Sequence, residues 1–570
     1  MKLVLKIIYR IIESIASIAV TVGILFFGIN YFSSEKKEKI KNKNTILEFN
    51  FEGVITERND KSFLDSILKN SNSSNQKIFF WEILNKIKAA AEDKFISGII
   101  LNIKDFKIGY AQIEELRKVL EDFKKSGKFI ITYSESILTK EYYLASISDY
   151  IFLHPSGFIF LTGIASTSIY YKNFFDKINS EALVFKSGKY KSAPEIYTKS
   201  KMSEENKEQL TYLLNKIFSN FLVAVEKFSN QKKIVLNKLF DDLSISNPID
   251  AFRFGIISHI GDIYDVEEFI KKRLDIPQNE ELEIFDAKKY DYKKKTSKNI
   301  IAVIPVEGVI VSGKSNSTSV GAASIVEAIK KIKKDKKIKA VIIRINSPGG
   351  SAIASDIIFK EIKELKKIKP VVVSMSNYAA SGGYFISIGG DKIFCYPNTI
   401  TGSIGVFFVK FEMDKLFNNF FGITTDSVKT NEYSDFSLSP LKKLSDLEKK
   451  VIQKNVDLCY NDFISKVAKA RGMSKSEVDK VAQGKIWLGE EALQNRLVST
   501  IGTFDDVLLY LEKNLKISDS DYKVEIISYN DVSPIEEYFG EASLVFKFLN
   551  NLFIIKNRSE KMALLKNEDF

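Results

Sequence analysis

The chain has 570 residues, 45% hydrophobic and 27% charged, enough apolar material for more than one packed core. Its net charge of +12 reflects heavy lysine use throughout, with no basic stripe interleaved with aromatics, so nucleic acid is not an expected partner. Two widely separated cysteines, Cys395 and Cys459, fit neither a CxxC pair nor a metal-ligand spacing, and the only histidines, His154 and His259, leave a Ser-His-Asp triad little to draw on.

In chain order, residues 1–13 form a flank carrying Lys2, Lys6 and Arg10. Residues 14–34 then hold no charge for 21 positions. At about 1.5 Å per residue such a helix just crosses a hydrocarbon core of ~30 Å. The run closes with Phe-Gly-Ile-Asn-Tyr-Phe and offers no small-x-small cleavage site, so it reads as an uncleaved transmembrane anchor rather than a signal peptide. Five lysines between Lys36 and Lys43 follow it, and that count does not favour an exterior body.

Beyond the anchor the chain repeats itself. ILEFNFEGVIT (46–56) parallels IAVIPVEGVIV (301–311). GIILNIKDF (98–106) parallels AVIIRINSP (340–348), KFIITYSES (128–136) parallels PVVVSMSNY (370–378), and DYIFLHP (149–155) parallels DKIFCYP (391–397), all three at one offset of 242 residues. A constant offset over that distance predicts a tandem of two similar α/β domains, 46–285 and 299–530, joined by a lysine-rich linker, 286–298. His154, before Pro155, falls at a predicted strand end, and His259 and Cys395 read likewise as structural. The first copy carries a segment of its own, VFKSGKYKSAPEIYT (184–198). A capped amphipathic helix is predicted over 202–225, with a counterpart over 441–468. The tail, 531–570, contains an apolar and aromatic stretch, 544–555, too short to be a second span.

The second copy holds the densest motif region. Residues 341–345 are apolar and β-branched apart from Arg344, and predict a buried strand that Pro348, Gly349 and Gly350 break. A helical pattern covers 355–368, Pro370 stops it, and 371–375 is the next strand. Ser381 follows between Ala379, Ala380, Gly382 and Gly383. A serine at such a strand-to-helix turn has open space before it and helix amides behind it, as a nucleophile with an oxyanion site requires. The nearest rivals are close packing at Ser381, a plain turn at the glycines, and a helix N-cap at Ser403.

NSPGGS (346–351), AASGGY (379–384) and TGSIG (401–405), in that order, resemble the core of the signal peptide peptidase A family, bacterial membrane serine proteases of the ClpP/crotonase fold. The resemblance runs from about 46 to 530 and implies a tandem of two ClpP/crotonase-like domains behind an N-terminal transmembrane helix. It implies Ser381 as nucleophile, Lys191 of the GxYKSA-type segment as general base, Ser403 as the residue orienting the lysine, and amides of Gly382 and of the Gly349–Gly350 turn as oxyanion donors. It also implies apolar peptide substrates such as released signal peptides, a homo-oligomer (a tetramer), an inner-membrane location with a periplasmic body, and no cofactor or metal. The copies divide the motifs: at the 242 offset Ser381 falls on Thr139 and KDFKI (104–108) replaces NSPGG, while Ser434 falls opposite Lys191 when Tyr190 is set on Tyr433. Two other classes remain open: a crotonase-like enzyme acting on acyl-CoA thioesters without a serine nucleophile, and a non-catalytic membrane scaffold.

Overall fold

The β-branched runs fold as parallel strands, and the amphipathic segments between them return as helices, in a computed structural model that describes residues 38–40, 42–59 and 77–529. The expected flank, the anchor over 14–34 and the tail over 531–570 lie outside the described residues. Among the described residues no helix is long and apolar enough to cross a membrane.

The first sheet runs Lys77–Phe79, Thr45–Thr56, Ile96–Lys107, Phe129–Leu138, Tyr150–Phe160, His259–Ile260, with Ile284–Asp286 also on the Thr45–Thr56 strand. The second runs Ile486–Leu488, Ile400–Gly402, Val371–Ala380, Ile338–Ser347, Asn299–Glu307, Tyr522–Ile526, with Lys392–Cys395 branching from Val371–Ala380. All these pairings are parallel except that of Ile486–Leu488 with Ile400–Gly402. Neighbouring strand residues point into cores on opposite faces. Ile99 and Leu101 join one core and Ile100 another; Ile343 and Ile342 divide in the same way. Burial on both faces explains why these strands are continuously apolar instead of alternating.

The tandem extends beyond the sheets. Phe80–Glu92 and Ala322–Lys334, Tyr110–Lys124 and Ala352–Lys366, Phe129–Leu138 and Val371–Ala380, and Glu204–Ser229 and Asp446–Arg471 are four pairs of elements at the 242-residue offset. Repeated side chains hold repeated joints. Asp149 Oδ2 accepts from Ile130 N at 2.8 Å, and Asp391 Oδ2 accepts from Val371 N at 2.8 Å. Each aspartate thus ties the start of one strand to the edge of the next, which is why DYIF and DKIF recur.

Several boundaries differ from expectation: the helix expected over 355–368 spans Ala352–Lys366, and the strands expected over 341–345 and 371–375 span Ile338–Ser347 and Val371–Ala380. The helix expected over 441–468 begins only at Asp446, because Ser445 caps it by accepting from Glu448 N. Its counterpart is Glu204–Ser229, capped by Ser203. The expected linker 286–298 begins too early: Ala287 and Tyr290 are buried in the first core, and Tyr290 Oη donates to Asp93 at 3.0 Å. Only its later part, 291–298, is free of regular structure. The copies also interlock. Glu181–Ser187 of the first pairs antiparallel with Val406–Glu412 of the second, and Trp81 packs edge-on against Phe504 at 4.2 Å between ring centroids.

Candidate active site

Ser381 follows the Val371–Ala380 strand directly and caps the short helix Gly382–Ser387. Its backbone sits at φ 53°, ψ −114°, a conformation that L residues adopt only under constraint. That constraint comes from both sides: Ser381 N donates to Gly402 O at 2.9 Å, and Ser381 O accepts from Phe385 N at 2.9 Å. The parallel pairing of Ala380 with Gly402 brings the TGSIG segment alongside, and Ser403 follows at φ 50°.

Lys191 arrives from the first copy. The Glu181–Ser187 strand ends in a turn at Gly188 (φ 117°), closed by Lys191 N donating to Gly188 O at 3.2 Å. The Lys191 side chain then runs into the second copy, and the residue is only 4% exposed. Its Nζ lies 3.0 Å from Ser381 Oγ, 3.0 Å from Ser403 Oγ and 3.1 Å from Ser403 O. Burial disfavours the ammonium and pushes the amine down to about 7. A neutral amine at hydrogen-bond distance from a half-buried serine hydroxyl is the arrangement that can take the hydroxyl proton.

The Gly-Gly turn stands opposite. Gly349 has φ 104° and Gly350 φ 154°, conformations closed to most side-chain-bearing residues. A Cβ on Gly349 would lie 2.7 Å from Gly382 N and 2.9 Å from Ser381 Cβ, so only glycine allows this approach. The Gly349 amide is already committed to Ser347 Oγ at 3.1 Å, which removes Gly349 from the expected oxyanion donors. The Gly350 and Gly382 amides have no acceptor among the described residues, and a Cβ on Gly382 would lie 3.3 Å from Gly350 N. Two free amides converging beside a serine hydroxyl make an anion site.

The remaining candidates lie elsewhere. Ser434 is exposed and accepts from Asn431 N. Lys429, nearest it in the second copy, is ion-paired with Asp435 at 2.8 Å. His154 accepts from Ser156 N, and His259 stacks on Phe152 at 4.3 Å between centroids. Cys395 is fully buried and Cys459 is an exposed free thiol. Thr139, at the Ser381 position of the first copy, is buried and accepts from Thr162 N, and the neighbouring strand continues through Lys107 where the second copy turns at its glycines. Among the described residues no His/Cys/Asp/Glu group could hold a metal. Sequence reasoning missed the segment 483–485, which touches both the Lys191 and Ser403 loops. The only sequence signal for it was a Gln-Gly pair between a helix and a strand.

Comparison with known proteins agrees with this architecture. The profile of Peptidase family S49 matches twice, over residues 122–276 and 363–518, and that of Clp protease matches residues 292–401. Protease 4 of Haemophilus influenzae is 31% identical over 94% of this chain and 92% of its own length. The chloroplastic serine protease SPPA of Arabidopsis thaliana is 32% identical over 73% of this chain and 63% of its own length. A putative signal peptide peptidase SppA of Enterococcus faecium is 39% identical over 39% of this chain and 65% of its own length. Two family matches in register with the internal repeat, and a relative aligned over nearly its whole length, establish that this chain belongs to peptidase family S49.

Proposed function

We propose that the chain is a serine endopeptidase whose nucleophile, Ser381, and general base, Lys191, come from different copies of the tandem. The observation that carries this reading is the 3.0 Å approach of Lys191 Nζ to Ser381 Oγ across 190 residues of sequence. Above a pH of about 7 the buried amine is neutral and takes the Ser381 proton as Oγ attacks the scissile carbonyl. The carbonyl oxygen becomes an anion held by the Gly350 and Gly382 amides; one such donor is typically worth about 3 kcal/mol. Lys191 returns the proton to the departing amine, leaving an acyl-enzyme on Ser381. The same amine then deprotonates the water that releases the acid. Ser403 Oγ, 3.0 Å from Nζ, fixes the direction of the amine. A crotonase-like thioester reaction gives this buried lysine no task.

The substrates are apolar peptides at a membrane surface, released signal peptides among them. That reading rests on the relative of Enterococcus faecium, named for signal peptides, and on the uncharged run over 14–34, which is long enough to anchor the chain in a bilayer. Assembly of several copies is supported by two helices, Lys172–Lys177 and Asp414–Phe421, that bury none of their residues and leave Phe174, Phe420 and Phe421 more than half exposed.

The test is hydrolysis of an apolar fluorogenic peptide by purified protein, with and without residues 1–34. Ser381→Ala and Lys191→Ala should each lose about 10³-fold or more in kcat, and the double variant should be no worse, because the pair acts as one unit. Lys191→Arg should not recover activity, since a guanidinium stays protonated. Near-native turnover in Lys191→Ala would overturn the shared site. A chain lacking 1–34 that still resists carbonate extraction would overturn the single anchor.

A further inference from the structure

The Lys191 loop is held by both copies. Within its own copy Lys191 N donates to Gly188 O, and Gln209 Nε2 donates to Tyr190 O at 3.3 Å and to Ser192 Oγ at 3.1 Å. The second copy holds it at residues 483–485. Gln483 O accepts from Tyr190 N at 2.7 Å, and Gln483 Oε1 accepts from Lys189 N at 3.2 Å. On its other edge, the same segment meets the Ser403 loop: Gly484 N donates to Ile404 O at 2.8 Å, and Lys485 O accepts from Ser403 N at 2.8 Å. Three consecutive residues therefore bridge the loop that carries the base and the loop that orients it.

The fit at the centre of this bridge admits no side chain. Gly484 has φ 76°, and a Cβ there would lie 2.6 Å from Lys191 N and 2.7 Å from Lys191 Cα and Cβ. The surrounding turns are equally tight. A Cβ on Gly188 would lie 2.7 Å from Gln483 C, and one on Gly405 would lie 2.8 Å from Gly484 Cα and 3.2 Å from Lys191 Cδ. Gln483 itself is held at φ 52° by Tyr460 Oη, which accepts its N–H at 3.2 Å, and by Asp479, which accepts from its Nε2. Lys485 Nζ lies over the Tyr190 ring at 5.0 Å and the Trp487 ring at 4.6 Å.

We propose that residues 483–485 are a positioning strap, which presses the Lys191 stem into the second copy, sets its amine against Ser381 and Ser403, and keeps water from it. This rests on the dyad reading above. Gly484 is its critical residue, because only glycine lets the strap lie flat on the Lys191 backbone. The groups facing the loop from every side fit this role. Lys186 Nζ donates to Lys191 O, Lys189 pairs with Glu205 at 3.7 Å, and Glu195 accepts from Ser203. The Phe407 ring centroid is 5.9 Å from Lys191 Nζ. Among the described residues no carboxylate bonds the amine, so packing alone is left to keep it neutral.

The experiment is the pH profile of kcat and KM for the full chain carrying Gly484→Ala, beside wild type and Lys191→Ala, with thermal melts of each. An alanine at 484 pushes the Lys191 backbone away and lets water reach the amine, so the acid limb of kcat moves to higher pH. A rise of about one unit means about a ten-fold loss on the acid side that is recovered at high pH, with KM little changed. Gln483→Ala, which removes the side-chain contacts to Lys189 N and Asp479 and keeps the backbone bond from Tyr190 N, should move the limb the same way by less, and it decides the matter if Gly484→Ala does not fold. An unmoved limb in a folded Gly484→Ala, or in Gln483→Ala where the first variant fails, overturns the strap. Activity in Lys191→Ala overturns the dyad instead, whatever the strap variants do.

Discussion

Lys191 is expensive to bury, and the cost has a sign that can be measured. The unfolded chain holds this proton up to about its ordinary 10.5, the folded protein only to about 7. Between those values the unfolded state binds more protons, so the residue's contribution to stability rises with pH across that window. Its penalty is complete below about 7 and gone above about 10.5. At about 1.4 kcal/mol per unit the difference is a few kcal/mol. Lys191→Met should therefore abolish turnover yet melt above wild type, with the widest gap below pH 7 and a gap that closes toward pH 10.5. Thermal melts across pH measure it, and a gap independent of pH would mean that the wild-type amine is solvated. At this scale Ser381, Lys191 and Ser403 stand out as candidates because each lies in a motif of its own, and the fold brings their polar atoms together. Gly484 does not, because its task is set by a backbone nearly 300 residues away. Which amide of the Gly349–Gly350 turn stays free is not legible either, because a sequence cannot say that the Ser347 hydroxyl takes the Gly349 amide.

Among the elements, the repeat is legible because apolar strands buried on both faces leave little freedom in sequence, and because Asp149 and Asp391 repeat a joint as well as a pattern. The limits of the linker are not, since six lysines outweigh the two buried residues Ala287 and Tyr290. The antiparallel ribbon between Glu181–Ser187 and Val406–Glu412 is equally hidden, because its strands occupy different places in the two copies. The turn after Ile338–Ser347 is the element that the proposed oxyanion site rests on. Ile310 N donates to Gly349 O and Ile310 O accepts from Ser351 N, so the Val309–Val311 strand clamps the turn from one side while Ser381 limits it on the other. A Cβ on Gly350 would lie 2.1 Å from Ile310 O. Gly350→Ala should break the clamp and turn one oxyanion donor away, lowering kcat about 10²- to 10³-fold with KM nearly unchanged. Steady-state kinetics on the peptide substrate decide this. A loss confined to KM would place the turn in substrate binding and not in oxyanion stabilisation.

For the whole molecule, a Lys191–Ser381 contact made between the copies requires that they keep a fixed relation, and buried charge lies at their boundary. Arg344 of the second copy is fully buried and meets Glu57 at 3.0 Å and Glu115 at 2.5 Å, both from the first. Burial opposes its charge, but the two carboxylates hold the guanidinium well above its ordinary pKa. Burial also raises Glu115. Ser376 and Gln112 complete the network by donating to Glu57, and Gln112 bonds Asn377 across the same boundary. Glu307 extends it toward the active site, accepting from Thr56 and Glu57 N of the first copy with one oxygen and from Asn346 of the NSPGG segment with the other. Arg344→Met should leave two buried carboxyl groups without their cation, a change that in other buried pairs costs about 3–5 kcal/mol. Glu115, which burial already raises, can then stay buried only by keeping a proton that the unfolded chain releases above its ordinary carboxyl pKa. The loss is smallest near that value and deepens as pH rises. Melts at pH 5 and pH 8 should show a larger deficit at pH 8, and adding Glu115→Gln should recover part of it. Turnover should fall as well, although Arg344 contacts neither Ser381 nor Lys191, because the relation between the copies sets the distance between serine and lysine. An Arg344→Met protein with unchanged turnover and a pH-independent melting deficit would mean that the copies are held by packing such as Trp81 on Phe504, and that the charges at their boundary are incidental.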